Sequence, residues 1–175
     1  MILHRLLRTA MALAIALPAF AAASAEIDLP ARKPGLWELK MIPETAGAAP
    51  QITMQLCLDA ATDKDIMAAG LAMSGNACTT KRSQSGGSIQ FDADCNFGDR
   101  HTVSQTTISG DFQASYTLKI VSDSQGGNPA LPKHSVVTQQ ATWLGACTPG
   151  LLPGEMMMPG GRKVNVLGTL KKPGG

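Results

Sequence analysis

Apolar and polar residues alternate over most of the chain, which is the pattern of half-buried β-strands. The alternation is clearest in DFQASYTLKIV (111–121), where every second residue from Phe112 to Ile120 falls on one face. In ITMQLCL (52–58) the apolar residues share one face, and Cys57 lies on the opposite one. Segments with this period follow one another along the chain: 36–42, 52–58, 78–85, 88–95, 101–109, 111–121 and 135–147, with 163–167 as a short edge strand.

One segment between these strands favours a helix. Thr62 and Asp65 have the spacing of a capping box, and Gly70 can end the helix. A helix of about two turns covers a sheet rather than forming a core of its own. Short strands, hairpin connections and one short helix together predict an all-β domain. We expect an antiparallel meander that forms a curled sheet, a sandwich or a partly closed barrel.

The first 25 residues have the parts of a secretory signal peptide. A basic start, MILHRLLR, precedes an apolar run that is too short to span a bilayer comfortably, and small residues end the segment at Ala25. An uncleaved anchor is the alternative; a lipid anchor is disfavoured, because Glu26 stands where a lipoprotein carries cysteine. We therefore predict a signal peptide over 1–25 and a single periplasmic domain over 26–175, rich in Pro, Gly and Met from about residue 148.

Signal cleavage makes the chain formally neutral. It removes Arg5 and Arg8, so that 13 basic residues remain against 13 acidic ones. A balanced charge gives no support to nucleic-acid binding or to a polybasic membrane patch. We expect no nucleic-acid partner and no stable membrane insertion after cleavage, and an apolar small molecule or an envelope protein as the partner.

All four cysteines lie in the exported part, and an even number there predicts two disulfides. The pattern lacks the closely spaced pairs of a zinc site. In the segment 78–95, a turn at the central Gly-Gly pair places Cys78 opposite Cys95. That position is not hydrogen-bonded, so the α-carbons approach closely enough for a bridge. Cys57 then pairs with Cys147.

Several segments resemble an exported bacterial family known as domain of unknown function 3617. They are the paired cysteines around a hairpin and the sequences RKPGLWEL (32–39), CLD (57–59), WLGAC (143–147) and GRKVNVL (161–167). The resemblance implies a periplasmic β-rich domain from a Gram-negative bacterium. It implies no activity, because the family has no assigned catalytic or binding residues, and the Met-rich stretch near the end departs from it.

Catalytic chemistry has little support in the sequence. His101 and His134 are the histidines of the exported part, and a hydrolase would use one of them as a base. Neither the G-x-S-x-G nor the H-E-x-x-H motif is present. We therefore predict no catalytic residues and no cofactor, and an unrecognised hydrolase is an alternative.

The segment EMMMPGG (155–161) raises a second alternative, which is copper handling. Thioether sulfur suits Cu(I), so Met156 and Met158 could bind it together with His101 or His134. Methionine is mainly an adaptable apolar filler, however, which favours packing or a mobile lid.

The large aromatic side chains are candidates for lining a pocket. Trp37, Tyr116 and Trp143 fill the core in the ordinary case. If the concave side of the sheet is not filled, they flank an apolar pocket. The first hypothesis is therefore a non-enzymatic binding module for an apolar small molecule or an envelope partner protein.

Overall fold

Nine antiparallel strands form one sheet in the part of the chain that this computed structural model describes, residues 29–170. The side chains of residues 70–74 and 76 are outside that description, and so is the predicted signal peptide, 1–25. The strands are β1 (Gly35–Pro43), β2 (Ile52–Leu58), β3 (Cys78–Ser85), β4 (Ser88–Phe97), β5 (Arg100–Gly110), β6 (Ser115–Gly126), β7 (His134–Gly145), β8 (Glu155–Met157) and β9 (Lys163–Asn165).

The order across the sheet is β3-β4-β5-β6-β7-β1-β2-β8-β9, and every neighbouring pair is antiparallel. Strands β3 to β7 form a continuous meander, as hairpin connections predict. Strands β3 and β9 are the two edges of this sheet in the described residues, so the sheet is open. The all-β, antiparallel prediction is confirmed, and the sheet does not close into a barrel.

Strand β6 begins four residues later than its alternating pattern predicts. The Asp111 carboxylate accepts hydrogen bonds from the backbone N–H groups of Gln113, Ala114 and Ser115. These bonds hold a tight turn in which Phe112 takes a positive φ of 59°. An Asx-type turn competes successfully with the strand here, because one carboxylate satisfies three backbone donors.

The helix α1 (Ala60–Ser74) is longer than the two turns that the sequence predicts. It is capped by Asp59, whose Oδ1 accepts from the Thr62 backbone N–H at 2.7 Å. The Thr62 hydroxyl accepts in return from the Asp59 N–H at 3.0 Å, which completes a capping box three residues earlier than expected. Gly70 lies inside the helix and does not end it.

The segment after residue 148 extends the sheet. Strand β8 pairs with β2 on one side and with β9 on the other. The predicted strand 163–167 ends at Asn165, and a short helix, α2 (Val166–Leu170), follows it. The Asn165 side chain accepts from the Gly168 N–H at 2.7 Å and so starts that helix. Within residues 29–170, no helix combines the length and the apolar character needed to cross a membrane.

The two faces of the sheet carry separate apolar clusters. The larger one defines the core face, and Ile66 of α1, Val166 of α2 and Leu29 pack against it. Its buried members come from five strands and the turn before β6: Trp37, Leu39, Met54, Leu56, Leu58, Ile108, Phe112, Tyr116 and Ala141. The smaller cluster defines the back face and contains Leu36, Cys57 and Leu151. Residues 29–34, α1 and α2 are called the covering segments below.

A bulge between β1 and β7 changes which face their residues occupy. Trp37 lies opposite Trp143, but Leu36 lies opposite Gly145, so Leu144 has no partner across the ladder. One extra residue in one strand reverses the alternation beyond it. Gly145, opposite Leu36, therefore lies on the back face, and the alternation continues from there with its phase shifted by one residue.

This reversal positions one of the two disulfides. Cys147 packs on the back face with Cys57, and their α-carbons are 5.4 Å apart. Simple alternation from Trp143 would place Cys147 on the core face, and the bulge is what moves it to the back face. The predicted pairing of Cys147 with Cys57 is nevertheless the one observed.

The second disulfide has the predicted register. Gly86 and Gly87 take positive φ values of 57° and 79°, as a tight two-residue hairpin turn requires. Cys78 then lies opposite Cys95, with the α-carbons 4.0 Å apart. The two disulfides together use all four cysteines.

Candidate ligand-binding site

A cavity of about 450 Å³ lies between the core face and the covering segments. Its floor is formed by Ile108 of β5, by Tyr116 and Leu118 of β6, and by Phe112 from the turn before β6. The Phe112 and Tyr116 rings are stacked at 5.1 Å, and the Trp37 ring lies 5.5 Å from Tyr116. Trp37 is fully buried, so it supports the Tyr116 ring from within the core. The floor is therefore an aromatic and aliphatic surface whose side chains are fixed by packing.

The covering segments complete the cavity with further apolar side chains. Leu29 comes from residues 29–34, Ile66 from α1, and Val166 and Leu170 from α2. The lead-in to β1 is held in place by a hydrogen bond from the Lys33 N–H to the carbonyl oxygen of Phe112, at 2.9 Å. The cover is thus built from three pieces of chain that are distant in sequence.

A buried ion pair joins two of these covering pieces. Arg32 Nε donates to Asp63 Oδ1 at 2.6 Å, and the Arg32 backbone N–H donates to Asp63 Oδ2 at 3.0 Å. Only 10% of the Arg32 side chain and 5% of the Asp63 side chain are exposed. The pair links the lead-in to the first turn of α1, and its two charges balance each other.

The same guanidinium reaches the cavity floor. Arg32 Nη1 donates to the Tyr116 hydroxyl at 3.2 Å, and Gln139 Nε2 donates to it at 3.3 Å. Arg32, Tyr116 and Gln139 all line the cavity and give it one polar end, called the polar end below. Within the described part of the chain, the buried Nη2 atom of Arg32 has no hydrogen-bond partner.

The Arg32 guanidinium is charged in this setting. Burial by itself lowers the pKa of Arg32, but the attraction of Tyr116 and Asp63 and their hydrogen bonds act in the opposite direction. The net effect raises the pKa of Arg32 above its ordinary value. The polar end therefore holds a permanent cation, neutralised by Asp63, within an otherwise apolar cavity.

The structure places the three predicted pocket aromatics in different surroundings. Tyr116 lines the cavity, whereas Trp37 is part of the core beneath it. Trp143 lies near the lead-in: its Nε1 donates to the Pro34 carbonyl oxygen at 3.0 Å, and Lys33 Nζ lies 3.6 Å from the ring centroid. Of the three, Tyr116 is the one that can contact a molecule in the cavity.

The predicted copper ligands lie on strands that are separated from each other in the sheet. Met156 and Met158 pack against the core-face cluster at the β8 end of the sheet. His101 lies on β5 and His134 on β7, with strands β1 and β2 between β7 and β8. Among the described residues, no group of three or more His, Cys, Asp or Glu side chains is arranged to hold a metal ion. Copper binding through the methionines stays a prediction.

Each predicted catalytic histidine pairs with a carboxylate at the surface. His101 Nε2 lies 2.8 Å from Asp94 Oδ1, and His134 Nδ1 lies 2.8 Å from Asp123 Oδ1. Both imidazole rings are more than a third exposed. They are outside the set of residues that line the cavity, and hydrolysis by them stays a prediction.

Sequence reasoning did not find the polar end. Arg32 and Asp63 meet across 31 positions, and no local pattern in the sequence indicates that contact. One signal was present, because Arg32 is the first residue of RKPGLWEL (32–39), one of the segments that carry the family resemblance.

A family model described as a protein of unknown function (DUF3617) matches residues 32–147. The match begins at Arg32, ends at Cys147 and includes strands β1 to β7 and helix α1. No curated protein and no solved structure shows a significant match to the chain. The family match covers more than half of the chain and agrees with the resemblance seen in the sequence, so the chain belongs to the DUF3617 family.

Proposed function

We propose that this protein is a non-enzymatic binding module that holds an apolar small molecule in the cavity on the core face. The observation that carries the proposal is the cavity itself, about 450 Å³ in volume and lined mainly by aliphatic and aromatic side chains. Binding sites for small molecules are typically about 300–1,000 Å³, mostly apolar and provided with a few polar groups. The cavity has each of these properties.

The chemistry of the lining supports binding rather than catalysis. The described residues around the cavity include no His, Ser or Cys side chain that could act as a base or a nucleophile. Arg32, the charged residue of the lining, forms two hydrogen bonds with Asp63, which lies outside the lining. Such a pair can orient a ligand, but it has no free carboxylate oxygen to abstract a proton.

We further propose that the protein acts in the periplasm after export. The signal peptide predicted over residues 1–25 supports this location, and so do the two disulfides, since disulfides persist in oxidising compartments. A water-filled compartment next to two membranes is a setting in which apolar molecules require a protein carrier. The export proposal can be checked by fractionating cells that express the full chain.

Filling the cavity tests the binding proposal. Leu118 lines the cavity floor, and Leu118→Trp replaces its aliphatic side chain with a larger indole ring that occupies part of the cavity. The matched control is Leu144→Trp, because Leu144 is 48% exposed and lies at the β7 bulge. Purified variants are titrated with Nile red, a dye whose fluorescence increases in apolar surroundings, and circular dichroism confirms that each variant is folded.

We expect the parent and Leu144→Trp to bind the dye with equal affinity, and we expect folded Leu118→Trp to lose most of that affinity. Equal dye binding by all three proteins would show that the cavity is not the binding site. Native mass spectrometry of the exported parent would then identify the mass of any ligand that remains bound during purification.

A further inference from the structure

We infer that the ligand carries an uncharged hydrogen-bond acceptor, such as an ester or ketone oxygen, which binds at the polar end of the cavity. This inference rests on the proposed function and adds the chemical class of the ligand. Its starting point is Arg32 Nη2, a buried guanidinium nitrogen that has no hydrogen-bond partner among residues 29–170. Buried donors nearly always form hydrogen bonds, and a ligand oxygen that accepts from Nη2 would remove the free-energy cost of leaving this donor without a partner.

The neighbouring groups at the polar end also favour an acceptor on the ligand. Arg32 has no lone pair to offer, since a guanidinium only donates. The Tyr116 oxygen already accepts from Arg32 Nη1 and from Gln139 Nε2, so its remaining capacity is its own O–H donor. A ligand oxygen placed between Arg32 and Tyr116 would accept from both.

Charge decides between a neutral acceptor and a carboxylate. Both oxygens of Asp63 are bonded to Arg32, at 2.6 Å and 3.0 Å, so the cationic charge is already neutralised. A ligand carboxylate would bring a second negative charge close to Asp63 in a poorly solvated place, which is unfavourable. A neutral ester or ketone uses the free donor without adding charge.

A competing position for a charged head group lies nearby. A second hollow, of about 390 Å³, shares Leu29 and Pro30 with the cavity, and its charged lining residues are Asp63, Lys64 and Arg82. A fatty acid could place its chain in the cavity and its carboxylate in this hollow. That arrangement would favour the acid over the ester, so the two possibilities predict opposite preferences.

A matched series of ligands separates them. Dodecane, methyl dodecanoate, dodecanoate and dodecylamine share one chain length and differ in the head group. Each is added from ethanol, below its aggregation limit at pH 8, to displace Nile red from the parent protein. We expect methyl dodecanoate to compete about tenfold better than dodecane or dodecanoate, since one hydrogen bond from a charged donor increases the affinity by about that factor. Dodecylamine should compete worst, because its ammonium group cannot accept a hydrogen bond from Arg32 and would be buried as an unpaired charge.

Arg32→Lys tests the role of the guanidinium. Lysine keeps a positive charge for Asp63 but lacks the second terminal nitrogen. We expect this variant to lose most of its preference for methyl dodecanoate over dodecane, because the Nη2 donor is absent. The control is Arg162→Lys, at an exposed position, which should keep the ester preference. If Arg32→Lys does not fold, Tyr116→Phe removes the second donor and should reduce the same preference.

The outcomes distinguish this inference from the proposed function. Methyl dodecanoate competing no better than dodecane, or dodecanoate competing best, would overturn the inference and leave an apolar binding site. An ester preference that survives in folded Arg32→Lys and in Tyr116→Phe would also overturn it. Failure of all four compounds, together with dye binding that is insensitive to Leu118→Trp, would overturn the proposed function itself.

Discussion

The ion pair between Arg32 and Asp63 allows a quantitative test of how the cavity is covered. Asp63→Asn removes the negative charge and leaves the size of the side chain nearly unchanged. Both partners are largely buried, at 10% and 5% side-chain exposure, so water does not replace the lost partner. The substitution therefore leaves a buried guanidinium without its counter-charge.

The size of the effect follows from that burial. Breaking a buried ion pair by removing one partner costs about 3–5 kcal/mol. Asparagine can still accept a hydrogen bond from Arg32, so we expect the lower end, about 3 kcal/mol. For a chain of this size 1 kcal/mol corresponds to about 2–4 °C in Tm, so the expected decrease is about 6–12 °C.

Urea denaturation followed by tryptophan fluorescence measures this change, because Trp37 is fully buried in the folded protein. The matched control is Asp65→Asn, which makes the same substitution at an exposed position of the same helix. Its cost is limited to the interaction of a carboxylate with the helix dipole, about 0.3–1 kcal/mol. The slope of the transition should be unchanged in both variants.

An equal loss of stability in Asp63→Asn and Asp65→Asn would refute the reasoning, since burial would then have no consequence. A second check uses the double variant Arg32→Met with Asp63→Leu. Replacing both members of a buried pair by apolar residues is often neutral, so the double variant should be more stable than Asp63→Asn alone.

Three further perturbations test other parts of the fold. Gly35→Ala directs a methyl group into a carbonyl oxygen of β7, on a backbone whose φ is 133°. The urea midpoint should therefore decrease by the equivalent of about 2 kcal/mol in the free energy of unfolding, and an unchanged midpoint would contradict the geometry. Replacing Cys78 and Cys95 with alanine should lower the free energy of unfolding by about 3 kcal/mol, measured by calorimetry, and a loss near zero would argue against the chain-entropy account. Backbone N–H groups, led by that of Ala114, hold the pKa of Asp111 below its ordinary value of 3.8. The stabilisation that the Asp111 carboxylate provides is thus complete above pH 3.8 and disappears as the pH falls through the lower pKa of the folded state. Asp111→Asn should therefore be less stable than the parent at neutral pH and equal to it in strong acid. A stability difference that stays constant across pH would exclude the ionised carboxylate as its cause.

The sequence was sufficient wherever the controlling interaction is local. The Gly-Gly turn sets the register that brings Cys78 to Cys95, and nothing outside segment 78–95 is needed to deduce it. Period-two alternation located β1 to β7 to within a few residues, because one face of each strand packs against apolar neighbours. The exception, the start of β6, was decided by the side chain of Asp111, which alternation does not consider.

The candidate site could not be deduced in the same way, because its contacts join distant parts of the chain. Arg32 meets Asp63 across 31 positions and Tyr116 across 84. The alternation showed that Tyr116 faces inward, but it could not show that the covering helices leave space above the ring. The bulge at Leu144 was hidden for a related reason, since it exists only in the pairing of β7 with β1.

The positions of the disulfides have a consequence for how a ligand gains access. One covalent bond lies on the back face, between Cys57 and Cys147, and the other connects β3 to β4 at the rim of the sheet. Neither fastens residues 29–34, α1 or α2 to the floor of the cavity. Under the proposed function, a ligand would therefore enter and leave with both crosslinks intact, by breaking reversible contacts such as that of Arg32 with Tyr116. Oxidation of the cysteines thus crosslinks the sheet and leaves the covering segments without a covalent tie to it.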